Sequence, residues 1–186
     1  MPSENNETKE QIIKVLEQTG ALKFGEFTLA SGAKSKYYID MRVIPNYPRE
    51  FDLLIEQAVE YLQKNCSQIE GIVGIPLTGI PFGVLIAYKL GKPFYLLRKE
   101  PKEYGLKKMI EGEIEKGQRI LIVDDLITSG GSKVYAIEAL REIGAEVKDV
   151  FLFIDRTPDG LAAFEKEQGI KVHYLINAED ILKRVR

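Results

Sequence analysis

Apolar residues along this chain follow two spacings that take turns. Between Pro48 and Asn65, Phe51, Leu54, Ile55, Ala58, Val59 and Leu62 recur at three- and four-residue intervals, which predicts a helix with one face on a core. Short apolar runs follow at Gly71 to Ile75, Pro93 to Leu97, Ile120 to Val123, Val147 to Ile154 and Val172 to Ile176. Among these runs, Ile120 to Val123 has no polar residue to alternate with, as expected for a strand covered on both faces. Helical runs separate them. Val84, Leu85 and Tyr88 lead to Gly91; Val134, Ile137, Leu140 and Ile143 stop at Gly144; Leu161, Ala162 and Phe164 follow Thr157-Pro158. Strands alternating with helices predict an α/β fold: a mostly parallel sheet of about five strands with right-handed crossovers and helices on both faces.

Two stretches break this rhythm. At the amino end, Thr8-Lys-Glu-Gln11 has capping-box spacing ahead of an apolar stripe through Ile12, Ile13, Val15 and Leu16, so a short amphipathic helix is expected to end near Gly20. Residues 21–42 then read as two short strands joined at Ser31-Gly32, a plain hairpin on spacing alone. The second stretch, 98–116, mixes charges of both signs with two glycines and a proline and has no sustained apolar period. Loops of that length in a compact domain tend to be functional or solvated.

Composition narrows the class. With 186 residues, the chain suffices for one domain with a substantial core. A net charge of −2 gives no overall pull toward nucleic acid. No apolar run is long enough to span a bilayer, and the start lacks the pattern of a secretion signal, so no membrane association and a cytoplasmic location are the expectation. Cys66 and His173 are the only residues of their kinds. A single cysteine excludes an internal disulfide framework and a thiolate cluster. Both residues read as packing.

The candidate chemistry centres on Asp124 and Asp125. They follow the strand at Ile120 to Val123 and precede Leu126, Ile127, Thr128, Ser129, Gly130, Gly131 and Ser132, after which a helix begins. Glycines let the main chain approach an anion, and free N–H groups at a helix start attract negative charge, so this turn is a candidate phosphate cradle. Carboxylates beside a phosphate would repel it. The two acids therefore point to another partner: ribose hydroxyls, a magnesium ion, or positive charge developing on a sugar. A strand-to-helix connection without any ligand remains open on pattern alone. The same two readings apply to the turn at Thr78-Gly79, and Arg156 at a strand's carboxyl end is either a ligand contact or a surface ion pair.

The acid pair with its Thr- and Gly-rich turn closely resembles the ribose-phosphate motif of the type I phosphoribosyltransferases. Phe27-Thr-Leu-x-Ser-Gly32, followed by Ser35, Tyr38, Asp40 and Arg42, resembles the amino-terminal segment of the orotate phosphoribosyltransferases in particular. Arg98, Lys99 and Lys102, with Glu111-Gly112 beyond, fall where those enzymes have a basic loop, and the likeness runs from about Leu22 to Asp180. It implies a single domain over 1–186 with a small N-terminal hood, mainly residues 1–42, and a closing loop at about 98–116. The implied reaction joins orotate to the ribose of 5-phosphoribosyl 1-pyrophosphate (PRPP), giving orotidine 5′-phosphate and pyrophosphate in pyrimidine biosynthesis.

The resemblance also assigns roles. Lys23 would reach the substrate from the hood, and Thr78 and Gly79 would hold pyrophosphate. Asp124 and Asp125 would hold the ribose hydroxyls and favour a cationic sugar, with the Leu126 to Ser132 segment cradling the ribose phosphate. Arg98, Lys99 and Lys102 would neutralise the leaving group. Lys102, as a catalytic proton donor, would act in the neighbouring subunit's site, which requires a homodimer. Arg156 would take a carboxylate on the base, with Thr128 close by. Tyr104 stands where the family usually has histidine, which leaves a hydroxyl without positive charge. Magnesium would be held mainly by PRPP oxygens, with no dedicated protein ligands. Two alternatives stay open at this stage: a type I enzyme for another base, and a regulator that binds the sugar diphosphate without turnover. The second needs a nucleic-acid surface, for which neither an added domain nor a basic excess speaks.

Overall fold

A computed structural model describes residues 6–28, 34–66, 68–99 and 109–185. Helix α1 (Asn6–Gln18) leads into a hairpin of β1 (Leu22–Thr28) and β2 (Lys34–Ile39), then a 3-10 segment (Met41–Asn46) and α2 (Pro48–Asn65). The remainder runs β3 (Gly71–Gly74), α3 (Gly79–Leu90), β4 (Phe94–Leu97), β5 (Ile110–Glu111), β6 (Ile120–Ile127), α4 (Gly131–Glu142), β7 (Asp149–Asp155), α5 (Ala162–Gln168), β8 (Lys171–Asn177) and α6 (Ala178–Leu182).

The sheet order is β5-β4-β3-β6-β7-β8. The five expected strands are parallel neighbours, and β5 adds an antiparallel edge through Leu96↔Glu111 and Leu97↔Ile110. A two-residue strand is too short for any period to register, which is why the charged stretch reads as loop throughout. Thr8 lies within α1 and does not cap it, because the helix already includes Asn6. A larger difference concerns β6. It continues four residues past Val123, so both acids stand on the strand itself rather than after it.

Alternation along β6 explains how it is buried on two sides. Leu121 and Val123 join the core beneath α1, α2, α3 and the hairpin, whereas Ile120 and Ile122 join the core beneath α4. Phe82 of α3, fully buried, stacks edgewise on Phe51 at 4.8 Å and against Phe153 at 4.7 Å, and so ties α2 and α3 to the centre of the sheet. This packing presents the carboxyl ends of β3, β6 and β7 side by side. Among the described residues, no helix is long and apolar enough to cross a membrane.

Candidate active site

After β3 the chain turns to one side of the sheet to make β4, while β6 is laid down on β3's other side. A reversal of this kind opens a crevice at the strands' carboxyl ends, where open α/β sheets take their ligands. Here the crevice is a cleft of about 300 Å³ lined by Ile75, Pro76 and Thr78 from the first turn and by Asp124, Asp125, Leu126 and Thr128 to Lys133 from the second. Sequence positions 50 residues apart thus face one space, and most of the predicted ribose-phosphate residues lie on it.

Close approach of α3 to β6 forms the floor. A Cβ on Gly79 would lie 2.4 Å from the Val123 carbonyl oxygen and 3.2 Å from Asp124 Oδ1, so only glycine lets the helix start this near the acids. Gly79 is itself buried and does not line the cleft. Thr78 does. Across the cleft, Gly130 has φ +82° and a Cβ there would come within 2.5 Å of the Phe164 ring, whereas Gly131 faces open space. The first N–H groups of α4 lack intrahelical acceptors and start beside the cleft-lining Gly131 and Ser132, the arrangement an anion needs. Ile127 is only 1% exposed and packs in the core, and its carbonyl accepts the N–H of Arg156 at 3.0 Å.

The two acids differ. Asp124 is 5% exposed, and its Oδ2 accepts from the ammonium of Lys133 at 2.6 Å while Oδ1 accepts the N–H of Asp125 at 2.9 Å. Lys133 is equally buried; its Nζ also donates to the Leu126 carbonyl and lies 3.3 Å from Ser132 Oγ. One cation thereby fastens the start of α4 to the end of β6. Asp125 has its Oδ1 on the Leu126 N–H at 2.8 Å, and burial followed by the adjacent Asp124 carboxylate pushes it up to about 7. Sequence reading missed Lys133. The signal was present, since 133, 136, 137 and 140 share one helical face and the other three positions are apolar.

The β1–β2 hairpin meets this end of the sheet through Tyr37, which the sequence reading did not single out. Arg156 lies over the Tyr37 ring with Cζ 4.6 Å from its centroid, and Arg156 Nε donates to Tyr37 Oη at 3.3 Å. Among the described residues no carboxylate pairs with Arg156, so the ion-pair alternative has no support there. Asp155 shapes the turn by accepting both the N–H and the hydroxyl of Thr157 at 2.8 and 2.7 Å. Lys23 is exposed on β1 opposite Tyr38. Arg42 grips Asp40 at 2.6 and 2.8 Å and holds that carboxyl below its usual range, with a smaller contribution from Lys23. Arg42 in turn is raised chiefly by Asp40, with a small addition from Asp125.

Arg98 is directed elsewhere. Its Nε donates to Glu111 on β5 at 2.6 Å, and it does not line the cleft. Lys99 is exposed, and its carbonyl accepts from Tyr135 at 3.2 Å. Lys102 and Tyr104 lie outside the described residues.

A model of the phosphoribosyl transferase domain matches residues 44–169. Among curated proteins, the orotate phosphoribosyltransferase of Pyrococcus abyssi is 35% identical over 175 residues, covering 94% of this chain and 96% of that one. The crystal structure of orotate phosphoribosyltransferase from Aeropyrum pernix superposes with a TM-score of 0.83 at 29% identity, covering 94% and 97%. The UMP synthase of Leishmania donovani gives 0.82 at 32%, where 95% of this chain spans only 37% of that longer one.

The charge balance at the acids is open to direct titration. Folded protein holds the Asp125 proton more tightly than the unfolded chain does, so this group's contribution to stability falls as pH climbs from the ordinary carboxyl range to about 7 and levels off above it. Carboxyl-resolved NMR should find a midpoint near 7. Lys133→Met, which keeps the bulk and removes the charge, should move that midpoint up by about one unit or more. A midpoint left in place would mean that Lys133 does not govern the pair.

Proposed function

This chain belongs to the phosphoribosyltransferase family, and within it we infer that the protein is an orotate phosphoribosyltransferase, which moves the 5-phosphoribosyl group of PRPP onto orotate with release of pyrophosphate. One observation carries the assignment of parts: a single cleft joins the Thr78 turn, the acid pair and the Thr128 to Ser132 turn. The 5′-phosphate takes the second turn and the start of α4, and pyrophosphate lies toward the first. The ribose between them sits over Asp125, and the base extends toward Arg156 and Tyr37.

Breaking the anomeric C–O bond leaves positive charge on the ribose and negative charge on the departing group. A carboxylate that burial and a like-charged neighbour have made reluctant to ionise gains most when a cation forms beside it, so Asp125 favours the transition state over the bound substrate. Asp124, already neutralised by Lys133, serves as a fixed acceptor for a ribose hydroxyl. A guanidinium without a carboxylate partner, backed by an aromatic ring, suits the planar carboxylate of orotate.

The fit to magnesium follows from the donor set. With Asp124 matched by Lys133, the cleft offers one uncompensated carboxylate among hydroxyls, too little to hold a hard dication alone but adequate beside a pyrophosphate that supplies most of the oxygens. Bound there, magnesium would neutralise the leaving group's charge. Lys102, together with Lys99, is proposed for the same end of the substrate from the loop, with Lys102 as proton donor. Arg98 contributes less in the arrangement described, because Glu111 occupies it.

The homodimer is likewise a proposal. Helix α3 is apolar almost all round: Phe82, Ile86 and Ala87 face the core, while Val84 and Tyr88 stand 41% and 81% exposed, and Leu77 in the turn before the helix is 69% exposed. A helix of that character is normally covered on both sides, and a second copy of the chain is the occupant that a shared loop requires.

Purified protein with magnesium and PRPP should release pyrophosphate with orotate and not with hypoxanthine, xanthine or uracil; a preference for any of these would shift the assignment to another type I enzyme. Arg156→Ala should raise the KM for orotate about tenfold or more while leaving that for PRPP nearly unchanged. Equal effects on both substrates would remove Arg156 from the base site.

A further inference from the structure

At the far end of the sheet from the cleft, the chain's single cysteine meets its single histidine. Cys66 ends α2, Asp149 begins β7, and His173 lies near the start of β8. His173 Nε2 is 3.3 Å from Cys66 Sγ and 2.9 Å from Asp149 Oδ1, and the three atoms all lie within 4.8 Å of one another. One ring nitrogen cannot serve both neighbours with a hydrogen bond. Protonated, Nε2 donates to the carboxylate and gives the thiol no acceptor; unprotonated, it accepts from the thiol and confronts the carboxylate's lone pairs. A cation at the point where the three converge satisfies all of them.

We propose that Cys66, Asp149 and His173 form a binding site for a borderline divalent cation of the zinc class, with a fourth position open to water. Tetrahedral ligands at zinc bond lengths stand about 3.6 Å apart for S and N and about 3.3 Å for N and O, so those two pairs need to part by only a few tenths of an ångström, while Sγ and the carboxylate oxygen, within 4.8 Å of each other, close toward about 3.6 Å. The charges close as well: thiolate and carboxylate balance a dication, which makes burial of the group acceptable. Tyr61 Oη lies 3.2 Å from His173 Nδ1, and a hydroxyl can accept from Nδ1–H when Nε2 binds metal or donate to Nδ1 when it does not. The His173 side chain is fully buried while that of Asp149 is 23% exposed, so water has an approach from the carboxylate side.

A thiolate ligand discriminates against magnesium, the cation of the transfer reaction, so the two sites call for different ions. The strand from Asp149 to Asp155 separates this site from Arg156 by roughly 20 Å, so the ion takes no part in catalysis. It fastens the end of α2 to the starts of β7 and β8.

Cobalt(II) titrated into chelator-treated protein tests this with a signal the active site cannot produce. The expected result is a thiolate-to-cobalt charge-transfer band that saturates at one cobalt per chain, is erased by zinc and is missing in Cys66→Ser, whose transferase activity with magnesium stays that of the parent. Zinc should also slow alkylation of Cys66 at least tenfold, a reading confined to this residue because there is no other thiol. Cobalt bound without the band, or alkylation at one rate with and without zinc, would overturn the site.

Discussion

Two adjacent carboxylates at the buried end of β6 have one ammonium between them, and the rest of the site is arranged around that imbalance. Lys133 accounts for Asp124 through a 2.6 Å contact in which both side chains are under a tenth exposed. Removing either partner of such a pair would leave a bare charge in a low dielectric. Asp125 is left as the unbalanced acid, held next to a turn whose free N–H groups attract anions. A substrate with phosphate at one end and an incipient cation at its centre would relieve both conditions at once, which is the basis of the proposed placement of the phosphoribosyl donor.

The fold delivers this arrangement by means that are not themselves chemical. Reversal of strand order between β3 and β6 places two strand-to-helix turns over one crevice, and Gly79 lets α3 begin against the backbone of the acids. Lys133 sits in the first turn of α4, so the helix whose first N–H groups are proposed to hold phosphate also carries the counter-charge for Asp124. Packing on the two sheet faces is divided by the alternation along β6, and the N-terminal hairpin is tied to the carboxyl end of β7 by Tyr37 against Arg156. Opposite ends of the sheet are thereby left to different tasks, transfer at one and, as proposed, a structural ion at the other.

Much of this was legible in the chain. Short, mostly apolar runs marked the five parallel strands, helical periods marked α2 and α4, and the order acid, acid, hydroxyl, glycine pointed to the turn that lines the cleft. What escaped reading depended mostly on contacts between separate elements, several of them remote in sequence. The last four residues of β6 are strand because β7 pairs with Leu126 and Ile127, not because their own pattern alternates. Lys133 was not singled out, Tyr37 was one of several hairpin aromatics, and Arg98 was read as a cation for the leaving group before Glu111 was placed beside it. Cys66 and His173 are 107 positions apart, and nothing local to either announces the other.

The central claim is that the charge of Asp125 acts on the cation that forms rather than on the substrate that binds. Asp125→Asn keeps the shape and the hydrogen-bonding reach of the side chain while removing that charge. Steady-state kinetics of this variant should show kcat lowered about 100-fold or more with the KM for PRPP changed by less than about threefold. A kcat close to that of the parent, with the loss confined to KM, would contradict the account.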